Sequence, residues 1–332
     1  MKEVLVTGGA GFIGSCLTNY LIENLNYRVV VIDDLSGGFT ENINSNAKFY
    51  QVSINEVDKI EGIFKNHKFE YVYHLAAYAA EGLSHFVRHY NYQNNLIGSI
   101  NLINASIKHK VSSFIFTSSI AVYGGLQSPM IETEDPLPED PYGIAKLAVE
   151  RDLFTAHEMF GLKYTIFRPH NVYGIPQNIG DKYRNVIGIF MNNIMNEESL
   201  NIFGDGTQRR AFTYVEDIIP AIAKAPEIKG ARNEIFNVGN DEHYSLNDLS
   251  EIVKNAMNSD AQVRHVESRN EVKVAYCSHE KFKEVFGDSR ETKLEDGIAI
   301  MAKWVQSRGP MQSSSFSNIE IEDNLPPLWL EK

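Results

Sequence analysis

Cysteine is scarce. The 332-residue chain has two, Cys16 and Cys277, too few for a disulfide framework and without metal-ligand spacing, so no metal centre is expected. No run of about 18 apolar residues occurs, which leaves no candidate transmembrane helix. The apolar run Val4 to Val6, preceded only by Met1-Lys2-Glu3, is too short for a secretory signal. Positive charge is in deficit, with 31 Lys and Arg against 43 Asp and Glu. The net charge of -12 repels nucleic acid phosphates. These absences describe a cytoplasmic chain in a reducing compartment that binds neither nucleic acid nor membrane. They leave room for a small anionic ligand, because arginines and helix N-termini reverse the field inside a cleft. The content of 43% hydrophobic and 22% charged residues is that of a globular protein long enough for one large domain or two smaller ones.

Short β-branched runs alternate with helical stretches through the first half. Glu3 to Thr7, Arg28 to Ile32, Lys48 to Val52, Tyr71 to Leu75 and Phe114 to Thr117 read as buried strands. Cys16 to Asn24 and Asn94 to His109 read as helices, and a long helix is expected from Pro141 to Phe160, followed by a strand from Lys163 to Phe167. Such alternation implies right-handed crossovers and a doubly wound parallel sheet. Beyond about residue 175, Gly204-Asp205-Gly206 and Gly239-Asn240-Asp241 punctuate shorter elements. The expected organisation is a dinucleotide-binding domain over 1–174 with further segments from about 205–240. A smaller interleaved α/β lobe for substrate over 175–307 and a surface arm over 308–332 complete it.

Thr7-Gly8-Gly9-Ala10-Gly11-Phe12-Ile13-Gly14 directly follows the first strand and opens a helix. Glycines at 8, 11 and 14 suit a tight turn, close approach to a pyrophosphate, and close helix-to-strand packing. The helix N-terminus then offers unpaired N–H groups to the anion. Asp33 stands about 20 residues on, at the end of the second strand, where an acid takes the ribose hydroxyls. Its charge repels a 2′-phosphate, so NAD is the expected cofactor.

Tyr142 and Lys146 are four residues apart, on one face of the expected helix. A phenol titrating near 10 needs a nearby cation to act as a base at neutral pH, and an ammonium supplies one. Such a tyrosine takes a hydroxyl proton while hydride leaves the same carbon for the cofactor. The pair follows the strand ending Thr117-Ser118-Ser119, at the carboxyl edge where open α/β sheets hold ligands. Ser119 is placed to share a hydrogen bond with the reacting oxygen.

The ordered set TGGAGFIG (7–14), DDLS (33–36), HLAA (74–77), TSSIAVYG (117–124), PYGIAK (141–146), RPHNVYG (168–174) and FGDGTQRRAFTYVEDI (203–218) resembles the extended short-chain dehydrogenase/reductase family. Within it the chain is most similar to the UDP-glucose 4-epimerase branch of nucleotide-sugar enzymes, from the N-terminus to about residue 300. The resemblance implies a Rossmann-type sheet and a redox step performed by Ser119, Tyr142 and Lys146. It implies NAD contacts at Gly8, Gly11, Phe12, Ile13 and Gly14, then at Asp33, Ser36, Gly37 and Ile54. Further contacts are implied at Leu75, Ala76, Ala77 and Asn95, and at Thr117, Ser118 and Pro169 beside the catalytic pair. For a UDP-sugar it implies Asn171 and Arg210 at the diphosphate, Asn185 and Val186 at the uridine, and Arg269 with Glu271 at the nucleotide. Ala79, Glu81 and Ala121 join Ser119 and Tyr142 around the sugar. A homodimer through the helix after Asn94 and the Tyr142 helix is the family expectation.

Reaction type follows from departures within the resemblance. Sugar 4,6-dehydratases of this family carry an Asp-Glu acid/base pair after the strand-end hydroxyl residue, where this chain has Ile120 and Ala121. Related decarboxylases have a glutamate at the Ser119 position. An epimerase acting through a transient 4-keto sugar is therefore favoured, with a dehydratase using Glu81 as the alternative. Ser53 stands where many relatives hold adenine with an aspartate, and Ala211 replaces the acid of the R-D-F/Y motif. The gate beside the sugar C2 substituent falls at Ala275, or at Tyr276 if the count slips by one. His170 is expected to be a packed core histidine.

Overall fold

The computed structural model describes residues 1–268, 272–287, 291–312 and 316–330. Arg269 and Glu271 therefore lie outside the described residues. Six strands, β1 (Glu3–Thr7), β2 (Arg28–Asp33), β3 (Lys48–Gln51), β4 (Tyr71–His74), β5 (Ser113–Thr117) and β6 (Tyr164–Pro169), are joined by a seventh, Glu234–Val238. All pair in parallel, in the order β3, β2, β1, β4, β5, β6, Glu234–Val238. The chain thus starts at the middle of the sheet and winds outward in both directions, the doubly wound arrangement the alternating pattern implies.

Both faces of the sheet are covered. Leu5, Val30, Ile32 and Phe114 pack against Phe64, Leu102 and Leu153 on one side. Val4, Val6 and Val31 pack against Leu17, Leu21, Ile218 and Ile222 on the other. Burial on both sides explains why the strands read as continuous apolar runs. A second cluster, with Phe190, Met191, Leu249, Val253, Ile298 and Met301, holds together the helices Val186–Met195, Leu246–Met257 and Leu294–Arg308. Among the described residues no helix is long and apolar enough to cross a membrane.

Three boundaries differ from the sequence expectation. The first helix begins at Phe12, because Gly11 caps it without a side chain. The 94–109 stretch is a helix Arg88–Tyr92, one wide π turn over Gln93–Ile97, and a helix Gly98–Lys108. β6 runs on through Arg168 and Pro169, which pair with Asn237 and Val238. That last extension is set by a partner 69 residues further along, which no local pattern announces. The helix Pro141–Phe160 has the expected limits, with Asp140 as cap, Pro141 in the first turn and Gly161 in the left-handed region at its end.

The expected surface arm packs against the molecule through its apolar residues. Leu325 and Trp329 are buried, and Phe316 and Ile319 pack with them against Ala80, Leu83, Val87 and Tyr183. Its apolar residues follow neither a helical nor a strand period, so their burial had no signature in the sequence.

Candidate active site

A cavity of about 790 Å³ runs along the carboxyl ends of β1, β2, β4, β5 and β6. Its floor begins at the glycine turn. Gly8 adopts φ +73°, and a Cβ there would lie 2.7 Å from the Ala76 nitrogen. A Cβ at Gly14 would lie 2.1 Å from the Gly8 oxygen. These two glycines let turn, helix and β4 close on each other. Gly11 differs: a Cβ there would meet only the Gly8 oxygen, at 3.2 Å, and otherwise fill open space. It caps the first helix with no side-chain acceptor, so the helix N–H groups face the cavity. An anionic phosphate bridge fits that cradle.

Asp33 ends β2 and lines the cavity. Its two carboxylate oxygens accept the backbone N–H groups of Ala10 at 3.0 Å and Leu35 at 2.8 Å. The acid thus braces the glycine turn while facing the ribose end. Burial raises its pKa, opposed by those backbone bonds.

The expected catalytic set stands at the end of β5. Tyr142 and Lys146 are 5% and 2% exposed, on the first turns of the helix Pro141–Phe160. Lys146 Nζ donates to the Thr117 carbonyl at 2.8 Å and lies 5.7 Å from the centre of the Tyr142 ring. Ser119 is in hydrogen-bonding reach of the phenol. Its Oγ also accepts the Ala121 N–H at 3.1 Å. Burial pushes the Tyr142 phenol well up, the nearby Glu81 carboxylate adds to this, and the Ser119 bond opposes it. Burial lowers Lys146 to about 7, with the Glu150 carboxylate resisting.

Glu150, one turn beyond Lys146, escaped the sequence reading. It is buried and accepts the Arg168 Nε at 3.0 Å and Nη2 at 2.6 Å, together with the Ser118 hydroxyl at 2.5 Å. Arg168 also lies over the Tyr123 ring, 4.7 Å from its centre. Acidic spacing on the helix was the available signal, but its partner is on β6.

The other expected residues fall in two groups. Phe12, Ile13, Ser36, Gly37, Ile54, Leu75, Ala76, Ala77, Ser118 and Pro169 line the cavity. So do Ala79, Glu81, Ala121, Asn171, Asn185, Val186 and Arg210. Asn95 does not. It is buried behind the wall, where its amide pairs with both the N–H and the carbonyl of Tyr78, at 2.8 and 3.0 Å, and with Asn91 at 2.7 Å. Asn95 is thus a brace for the loop after β4. Asn185 Oδ1 accepts the Ile187 N–H at 3.0 Å, capping the helix Val186–Met195 whose N-terminus opens at the cavity. Arg210 directs Nη1 to the Arg209 carbonyl at 2.9 Å and Nη2 to that of Val272 at 2.5 Å. Asn171, at φ +41°, donates to the Ala211 carbonyl at 2.9 Å. Ala275 lines the cavity, whereas Tyr276 packs on His243 with ring centres 4.4 Å apart. His170 is buried, its Nε2 3.0 Å from that of His279. Tyr183, Arg184 and Trp329 also line the cavity and were missed.

The cavity joins the acid Asp33, a glycine turn at a helix N-terminus, and a buried Ser-Tyr-Lys set. That plan belongs to NAD-dependent enzymes that oxidise an alcohol. Residues 4–239 match the model of the NAD dependent epimerase/dehydratase family, and the chain belongs to that family. It is 35% identical over 308 residues to the putative UDP-glucose 4-epimerase of Methanocaldococcus jannaschii, covering 92% of this chain and 98% of that protein. Among solved structures it is similar to the UDP-glucose 4-epimerase of Thermotoga maritima with UDP-glucose, at 38% identity and a TM-score of 0.88, covering 92% of this chain and 99% of that one. It is also similar to the UDP-N-acetylglucosamine 4-epimerase of Methanobrevibacter ruminantium M1 in complex with UDP-N-acetylmuramic acid. There the identity is 34% and the TM-score 0.86, over 93% of this chain and all of that one, at 100%.

Proposed function

We propose that the protein is an NAD-dependent 4-epimerase of UDP-hexoses. The observation that carries this reading is the buried Tyr142, in reach of Ser119 and above Lys146, flanked by Ile120 and Ala121, which exchange no protons. When bound, NAD would supply the hydride acceptor and donor for the sugar C4. Tyr142 removes the C4 hydroxyl proton and later gives it back, and Ser119 holds the same oxygen. Lys146, anchored on the Thr117 carbonyl, places positive charge beside the phenol when it is protonated. Turning the 4-keto sugar over before hydride returns inverts C4. Asn171 and Arg210 line the cavity and are assigned to the UDP diphosphate, and Asn185 and Val186, which also line it, to the uridine. The UDP-sugar relatives support a UDP-sugar as the substrate.

Ala275 on the wall supports acceptance of N-acetyl sugars, since a small side chain leaves space at C2. A second reading rests on Glu81, which lines the cavity and whose charge acts on Tyr142. A carboxylate there would serve as acid/base in eliminating water from the keto sugar. Incubation with UDP-glucose, UDP-GlcNAc and UDP-glucuronic acid, followed by NMR and mass analysis, separates the two. A C4 epimer of unchanged mass supports the epimerase, and loss of one water from the sugar selects the dehydratase. Cytoplasmic location and a homodimer are part of the same reading. Ile97 and Ile144, 45% and 41% exposed on the two helical segments of the expected interface, favour the dimer.

A further inference from the structure

Two loops from opposite sides of the molecule meet above the cavity. Arg184, just before the helix Val186–Met195, lies 4.7 Å from the centre of the Tyr78 ring. A Cβ on Gly37, in the loop after β2, would come within 2.9 Å of Arg184 Nη2. Tyr90 packs edge-on against Tyr78, with ring centres 5.5 Å apart. Tyr78, Tyr90, Arg184 and Gly37 all line the cavity, so together they form a roof over the stretch between the ribose acid Asp33 and Tyr142.

The C-terminal arm fastens that roof from outside. Phe316 packs against Tyr78 and Tyr90, with ring centres 5.4 and 4.9 Å away. Its N–H donates to the Tyr183 hydroxyl at 3.2 Å. The Glu320 carboxylate accepts the N–H groups of His89 and Tyr90, each at 2.8 Å. The N–H groups of Glu320 and Ile321 donate to the Phe86 carbonyl at 2.8 and 3.2 Å. Trp329 sets its ring edge-on to Tyr183 at 5.3 Å and to Phe86 at 6.1 Å, and itself lines the cavity. One segment therefore ties the 78–92 loop to Tyr183 and supplies part of the wall. The matched family model, over residues 4–239, ends well before this segment.

We propose that residues 316–330 act as a strap that retains the dinucleotide, holding the roof down so that NAD stays in place between the two hydride transfers. The reasoning rests on the NAD-dependent reading above. An enzyme that hands hydride out and takes it back gains nothing from exchanging its cofactor in mid-cycle, and a roof tied on both sides slows that exchange. Phe316, Glu320 and Trp329 are positioning residues here, acting through Tyr78, Tyr90 and Tyr183.

The test uses the full chain loaded with NAD, desalted, and assayed over time for nucleotide still bound, with thermal unfolding followed in parallel. Glu320→Ala and Phe316→Ala should each release NAD about tenfold faster or more, since each frees one loop from the arm. Should Phe316→Ala not fold, Glu320→Gln at its exposed position carries the test. Wild-type protein that binds NAD but releases it as fast as the folded variants do overturns the strap alone. Wild-type protein that binds no NAD in titration overturns the cofactor reading and the strap with it.

Discussion

Thr117 on the floor of the cavity and Tyr78 on its roof both face the ligand space, yet different forces hold them. Thr117 ends β5, where ladder bonds to β6, a side-chain bond to the His74 carbonyl at 3.2 Å and the Lys146 ammonium fix it. Tyr78 lies outside any strand. The Asn95 amide brackets its backbone, and its ring is held between Arg184, Tyr90 and Phe316. The floor is bound by backbone hydrogen bonds inside a core, and the roof by rings and single side chains near the surface. Chemistry that needs ångström placement sits on the floor, and the part that must let ligands pass sits above it.

Substitutions can break this division at graded cost. The largest effect should come from the floor itself. Tyr142→Phe removes the acid/base but leaves the packing, so kcat should fall by about 10² to 10⁴-fold with NAD still bound and melting little changed. Steady-state assay of C4 epimer formation beside NAD titration checks this, and near wild-type turnover would remove Tyr142 from the mechanism.

Behind the floor, Glu150→Gln leaves Arg168 charged and unmatched, with both side chains almost fully buried at 1% and 2% exposure. Breaking such a pair from one side costs about 3–5 kcal/mol. Chemical denaturation should report a loss of that order, and the double variant Glu150→Gln/Arg168→Met should recover much of it. A small loss in the single variant would place the support of the floor elsewhere.

The smallest effect is one of pH. Lys146 titrates at about 7 in the folded chain against 10.5 when unfolded. Below about 7 both states hold the proton, and the full penalty for burying the ammonium is present. Between there and 10.5 the unfolded chain binds more protons, so stability from this group rises with pH. Measured without cofactor, the wild type should gain stability relative to Lys146→Met over that window, and a flat difference would mean that Lys146 keeps its proton throughout.

Much of the floor was legible because it is local. The spacing of Gly8, Gly11 and Gly14, the acid at Asp33 and the four-residue step from Tyr142 to Lys146 each encode one turn of chain. The helix expected from Pro141 to Phe160 has those limits in the structure. The roof was not legible. For Asn95 the sequence left two readings open, a place near the cofactor or a buried helix asparagine satisfied by backbone, and its bonds to the Tyr78 backbone match the second. Neither Arg184 nor Trp329 stood out as lining the cavity, because a lone arginine or tryptophan has no pattern around it.

The sequence by itself determined the doubly wound sheet, the dinucleotide cradle and the phenol-ammonium pair, because periodicity and short spacings specify backbone geometry within a few residues. Only the tertiary structure decided what stands behind and above them: the Glu150–Arg168 pair, the brace at Asn95, and the arm across the 78–92 loop. Those contacts include partners as distant as His89 and Glu320, 231 positions apart. Partners so distant are chosen by how whole elements pack, and no local stretch of chain contains that information.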